Sequence, residues 1–145
     1  MSGITIGRAA LGDCQEIRRL TMSCPELVDV DSGRPSLRWV ESFVREPQSV
    51  MLAAKDGNEI VGFANGERTS GDTGLIWMLY VRDSHRRRGL GGRLFSQMES
   101  ILVGKLKVVA VVAYGCRTIE KILLRRGYAA GNERYREFVK LLERQ

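Results

Sequence analysis

The chain has 145 residues, 43% of them hydrophobic and 28% charged, and a formal net charge of +6. That length carries one sizeable core, and the balance is that of a globular chain rather than a disordered one. No apolar run nears the roughly 20 residues that span a bilayer, the start "MSGITIGRAA" lacks an apolar signal core, and three scattered cysteines with one histidine give no zinc spacing. The expectation is one domain over residues 1–145, cytoplasmic and metal-free. Its positive charge suits a nucleic acid, a membrane surface or a phosphorylated cofactor.

"ITIGR" alternates and predicts a strand over residues 4–8. Residues 11–23 predict a helix, with Ile17, Leu20 and Thr21 on its apolar side and Cys24-Pro25 ending it. Asp31-Ser32-Gly33 marks a turn. Pro35 suits the first position of a second helix reaching Glu46, with Pro47 as the stop. "SVMLAAK" and "EIVGFANGERT" flank Asp56-Gly57-Asn58, a hairpin signal, and "LIWMLYV" follows as a third strand.

After an arginine-rich loop, Leu90, Leu94, Phe95, Met98, Ile101 and Leu102 recur at helical spacing. Residues 107–114, "KVVAVVAY", read as a strand buried on both faces, hence parallel to the preceding one after a helical crossover. Residues 118–126 predict a short helix capped by Gly127, and two strands near 128–130 and 136–142 close the chain. The order β-α-α-β-β-β-α-β-α-β-β gives an α+β domain around a mixed sheet.

The stretch "VRDSHRRRGLGGRLF" stands out. Adjacent arginines repel, and glycines weaken a helix start, so an anion is the natural compensation. A helix begins with unpaired N–H groups and the positive end of its dipole. Glycines there let a phosphate approach the amides. The plain alternative is a solvated basic loop in which Gly89 eases a tight turn. Two other phosphate cradles do not match. The P-loop spacing is missing, and the dinucleotide fingerprint would need a glycine where Leu94 stands.

These residues resemble the acyl-CoA signature of the GNAT superfamily of N-acyltransferases: Arg or Gln, two residues, Gly, one residue, Gly or Ala. Arg86, Gly89 and Gly91 meet it between a strand and a helix, and the element order agrees over nearly the whole chain. "RRGY", residues 125–128, is similar to the family's late "LGF" turn. The resemblance implies a mostly antiparallel mixed sheet in which a bulge splays one parallel strand pair. It implies acetyl-CoA as co-substrate and an amine, small or on a peptide, as acceptor. The amides of Arg87, Arg88, Gly89, Leu90, Gly91 and Gly92, with the charge of Arg86, would hold the pyrophosphate. Leu79 and Val81 would pair with the pantetheine arm.

Direct attack needs a deprotonated amine, a donor for the oxyanion and a proton or other stabilisation for the leaving thiolate. The resemblance places a tyrosine acid at Leu123, a cofactor-binding asparagine at Cys116 and a glutamate near Val111, and this chain has changed all three. Candidates left nearby are Glu67, Tyr80, Tyr114 and Cys116. Each has an ordinary reading as well: a solvent-facing carboxylate for Glu67, packing for the tyrosines, a small buried hydrophobe for Cys116. His85 sits in the loop, where phosphate contact or simple exposure suits it better than acid–base work. Tyr128 reads as core. Glu26, Asp29 and Asp31 would suit a cationic acceptor between the first two helices and the sheet, or form a solvated loop.

Three function classes follow. The first is an acyl-CoA-dependent N-acyltransferase. The second is a non-catalytic acyl-CoA-binding domain, motivated by the changed positions. The third, a nucleic-acid module, is disfavoured because no aromatics interleave with the basic run. A homodimer is left open.

Overall fold

Gly57, with φ of 64°, turns the chain between strands β2 (Ser49–Asp56) and β3 (Glu59–Arg68). A computed structural model describes residues 3–22, 36–69, 73–102, 107–112, 117–130 and 136–141. Its other elements are β1 (Ile4–Arg8), α1 (Cys14–Met22), α2 (Leu37–Arg45), β4 (Thr73–Val81), α3 (Leu90–Ile101), β5 (Lys107–Val112), α4 (Arg117–Arg125), β6 (Ala129–Ala130) and β7 (Arg136–Leu141). They form one seven-stranded sheet in the order β1-β2-β3-β4-β5-β7-β6. Only β4 and β5 run parallel among these pairings, from Thr73↔Lys107 to Ile76↔Ala110. The expected mixed, mostly antiparallel α+β architecture is the one observed.

The sheet is covered on both faces around β3, so this interior strand is buried without interruption from Ile60 to Gly66. On one face, Leu52, Ala64, Ile76 and Leu79 pack against Leu90, Leu94, Phe95 and Met98 of α3 and against Leu123 of α4. On the other, Met51, Phe63 and Met78 pack against Cys14 and Ile17 of α1 and Val40 and Phe43 of α2.

Helix ends explain most boundary differences from the sequence reading. Pro35 was expected inside the first turn of α2, but the helix begins two residues later. The Ser36 hydroxyl accepts the Trp39 N–H at 3.1 Å, which makes serine the cap. Pro35 itself lies outside the described residues. At the end of α4, Gly127 has φ of 89°. Tyr128 N–H donates to the Leu123 carbonyl at 3.0 Å and Gly127 N–H to that of Leu124 at 3.1 Å. This paired closure needs a left-handed residue at Gly127, as expected.

A bulge interrupts the β3–β4 ladder. Asn65 pairs with Met78 and Gly66 with Ile76, so Trp77 is an extra residue on β4. As a result Trp77 and Met78 both belong to the α1–α2 face, while Ile76 and Leu79 belong to the α3 face. The same place is where pairing with β5 ends, at Ile76↔Ala110, although β4 continues to Val81.

Candidate active site

The basic loop is held from several sides. Arg82 N–H still donates to Val61 across the sheet at 2.8 Å, and its guanidinium reaches Glu16 at 3.3 Å and Glu59 at 3.2 Å. A single 3₁₀ turn, Asp83–His85, follows. His85 is not free for a phosphate: its ring nitrogens lie 3.0 Å from Asp56 Oδ2 and 2.7 Å from Ser84 Oγ. It staples the loop to the β2–β3 hairpin, a tie that the sequence reading, with phosphate contact or exposure, did not foresee.

Arg86 also has partners inside the protein. Its Nε donates to the Val81 carbonyl at 2.7 Å, a terminal nitrogen meets Asp83 at 2.6 Å, and the guanidinium carbon stands 5.9 Å from the centre of the Tyr80 ring. Its charge therefore sits over the end of β4 and fixes the exit of the loop. One lone pair of the Val81 carbonyl is thereby used. Arg87 and Arg88 are exposed.

The reversal into α3 uses left-handed backbone at Arg87 (φ 64°) and Gly89 (φ 76°). A side chain at such an angle costs about 1 kcal/mol or more, which glycine avoids. Arg93 N–H to the Gly89 carbonyl, at 3.1 Å, is the first helical bond. Ahead of it, the amides of Arg87, Arg88, Gly89, Leu90, Gly91 and Gly92 have no backbone acceptor among the described residues. No side chain caps the helix and no acidic residue stands in its first turn. Among the described residues, a β-carbon at Gly89 or Gly92 would meet nothing within 4 Å, so no neighbouring side chain or backbone fills that space. These amides, the helix dipole and the arginine charge together suit an anion.

A second group of residues lines the α1–α2 face around the bulge. Trp77 Nε1 donates to Glu67 Oε1 at 3.0 Å, which fixes the half-buried carboxylate beside the extra residue of β4. Tyr80 shares that face, but its ring stacks on Phe63 with centroids 5.8 Å apart, beneath Arg86. It lies three residues along β4 from Trp77, roughly 10 Å toward the basic loop. The structure thus brings Glu67 to the bulge and Tyr80 to the loop end. Tyr114 and Cys116, as well as Glu26, Asp29 and Asp31, lie outside the described residues.

Leu123, where the resemblance implies a tyrosine, is fully buried in the α3-side core. Tyr128 is core, as expected. Its hydroxyl donates to Glu99 at 3.0 Å, and burial, then the adjacent carboxylate, pushes the phenol far above its ordinary range. Burial likewise raises the Cys14 thiol, helped by Glu41 and Asp13.

Sequence reasoning missed Asn65. It is fully buried on β3 with neither side-chain polar atom hydrogen-bonded. The available signal was an amide side chain in the middle of an otherwise apolar strand.

No described helix is long and apolar enough to cross a membrane. Comparison with known proteins then places the chain. Ard1 from Thermoplasma volcanium superposes with a TM-score of 0.80 at 15% identity, covering 97% of this chain and 98% of that one. YncA from Salmonella typhimurium, solved with acetyl-CoA, gives 0.76 at 19% identity over 99% and 96% of the two chains. The PaiA N-acetyltransferase of Thermoplasma acidophilum, in complex with coenzyme A, gives 0.75 at 14% identity over 97% and 99%. No curated protein matches the sequence significantly. The model of the acetyltransferase (GNAT) family matches residues 14–120. With that match over most of its length, the chain belongs to the acetyltransferase (GNAT) family, enzymes that carry an acyl group from acyl-CoA to an amine.

Proposed function

We propose that residues 1–145 form a single N-acetyltransferase domain that passes an acetyl group from acetyl-CoA directly to an amine in a ternary complex. The observation that carries this reading is the run of amides from Arg87 to Gly92, leading into α3, with no backbone acceptor among the described residues. In it the amides and Arg88 hold the pyrophosphate, with Arg86 anchoring the loop. The outer edge of β4 at Leu79 and Val81 takes the pantetheine arm, beyond the point where pairing with β5 ends. The co-substrate supplies a thioester. The amine reaches it from the α1–α2 face, its nitrogen forms the new C–N bond, and the C–S bond breaks. Solved relatives carrying CoA or acetyl-CoA support the choice of co-substrate. A reducing cytoplasm, where thiols stay free, fits the cysteine usage.

Glu67, oriented by Trp77, takes the ammonium's proton through water. The leaving thiolate has no tyrosine at Leu123. Positioning therefore contributes most of the rate, on the order of 7–11 kcal/mol in favourable cases, against 10²–10⁴-fold for one acid–base group. Glu67→Gln, Tyr80→Phe, Tyr114→Phe and Cys116→Ala are each expected to lower turnover by less than about a hundredfold. Native mass spectrometry for co-purified CoA, then turnover on an amine panel with saturating acetyl-CoA, tests this. A loss above about a thousandfold in one folded variant with intact CoA affinity would identify a dedicated catalytic group and overturn the positioning account.

A further inference from the structure

Asn65 is 0% exposed, and both its Nδ2 and its Oδ1 lack a hydrogen-bond partner. An amide side chain offers two donors and two lone pairs, and leaving them unmet in the interior is unfavourable. Its surroundings give no relief. Its neighbours across the sheet are Met51 on β2 and Met78 on β4, both buried. Two residues back along β3 stands Phe63, and two residues on stands Glu67, whose carboxylate already accepts from Trp77. A leucine would fill the same space with no polar group to satisfy.

The position is specific. Asn65 is the last β3 residue in register before the bulge, opposite Met78 and next to the unpaired Trp77. Ala64 and Gly66 on either side face α3, since Ala64 packs in that core and a β-carbon at Gly66 would strike Met98 of α3. Asn65 therefore faces α1 and α2. It is on the opposite side of the sheet from α3 and roughly 10 Å along β3 from Gly62, which pairs with Val81 at the start of the basic loop. A phosphate held by the loop does not reach it.

We propose that Asn65 seats the acceptor and selects its class: a primary amine with a hydrogen-bond-accepting oxygen close by, such as an α-amino amide. This deepens the N-acetyltransferase reading and rests on it. Oδ1 accepts one N–H of the amine, and Nδ2 donates to the neighbouring oxygen. Because the side chain is neutral, it binds the amine without favouring the protonated form, so the nitrogen lone pair stays available. Glu67, about 7 Å further along the same face, stands where the departing proton goes. A plain alkylamine satisfies Oδ1 but leaves Nδ2 unmet, and sites built for hydrogen bonding discriminate strongly against such analogues.

The test compares glycinamide with propylamine in wild type and Asn65→Leu. Acetyl-CoA affinity is expected to stay within about twofold and the melting temperature to hold or rise, since an unmet amide is removed. The ratio of kcat/KM for glycinamide over propylamine is expected to fall at least about thirtyfold, mainly through KM for glycinamide. The ratio cancels the intrinsic reactivities of the two amines. A ratio within about threefold of wild type, or a lower melting temperature with equal losses on both amines, overturns the assignment. A second measurement needs no variant. In CoA-loaded wild type, the Asn65 side-chain NH₂ resonance should shift saturably with glycinamide but not with propylamine, and an unmoved resonance overturns the proposal. Failure of the wild type to bind acetyl-CoA at all would bring down the parent reading, and this one with it.

Discussion

Gly91→Glu should weaken acetyl-CoA binding by at least about a thousandfold and leave the protein folded. Gly91 is the second residue of α3, in the stretch whose amides have no backbone acceptor among the described residues. A β-carbon there would lie 3.7 Å from Leu79 Cδ2 and 3.8 Å from Ile122 Cδ1, ordinary contact distances. A methyl group therefore fits, and Gly91→Ala should cost less than about tenfold in affinity. A glutamate adds a longer, charged side chain next to the amides. It satisfies the positive end of the helix from within, which favours α3 by roughly 0.3–1 kcal/mol. The same charge repels a pyrophosphate and removes two or more charge-assisted hydrogen bonds, each about 1.5–3 kcal/mol, hence the thousandfold figure. Calorimetric titration with acetyl-CoA, beside a melting curve, measures both halves. Unchanged affinity would mean that the amides bind something else.

Gly66→Ala should destabilise the fold by about 3 kcal/mol, a drop of roughly 10 °C in melting temperature. A β-carbon at Gly66 would collide with the backbone carbonyl of Leu75 and lie 2.6 Å from Met98 Cε. The methionine end can swing away, but the carbonyl belongs to β4 next to its bulge and cannot. Relief requires β4 to move away from β3, which shifts Trp77 relative to Glu67 and loosens their hydrogen bond. Turnover should fall with stability. Gly7 on β1, where an added β-carbon would meet nothing within 4 Å, is the control, and Gly7→Ala should be close to neutral. Equal melting temperatures for the two variants would show that β4 is not so closely apposed to β3.

The sequence carried the architecture because its elements are separated by strong punctuation. Gly57 and Gly127 are left-handed in the structure, as a hairpin and a helix end demand. The apolar spacing from Leu90 to Leu102 marked a helix whose inner face is buried. The basic loop was legible because charge, glycine and a strand-to-helix junction coincide in seven residues. Its internal wiring was not. The ties from Arg86 to the Val81 carbonyl and from His85 to Asp56 depend on where the chain turns, and Asp56 is 29 residues from His85 in sequence. The bulge was expected in β4, but its exact residue, Trp77, is set by the register against β3, which periodicity alone does not fix. Asn65 was overlooked for a related reason. A polar residue in a strand reads as solvent-facing until both faces of the sheet are known to be covered.

The central claim is that the backbone amides opening α3 bind the pyrophosphate of CoA, and amide resonances report this most directly. With the ¹⁵N-labelled protein titrated by CoA, the signals of Gly89, Gly91 and Gly92 should move saturably downfield as their N–H groups gain phosphate oxygens. Dephospho-CoA, which keeps the pyrophosphate, should move them equally, and pantetheine, which lacks it, should leave them in place. Glycine signals that stay put at saturating CoA, or that move as far with pantetheine, would contradict the account.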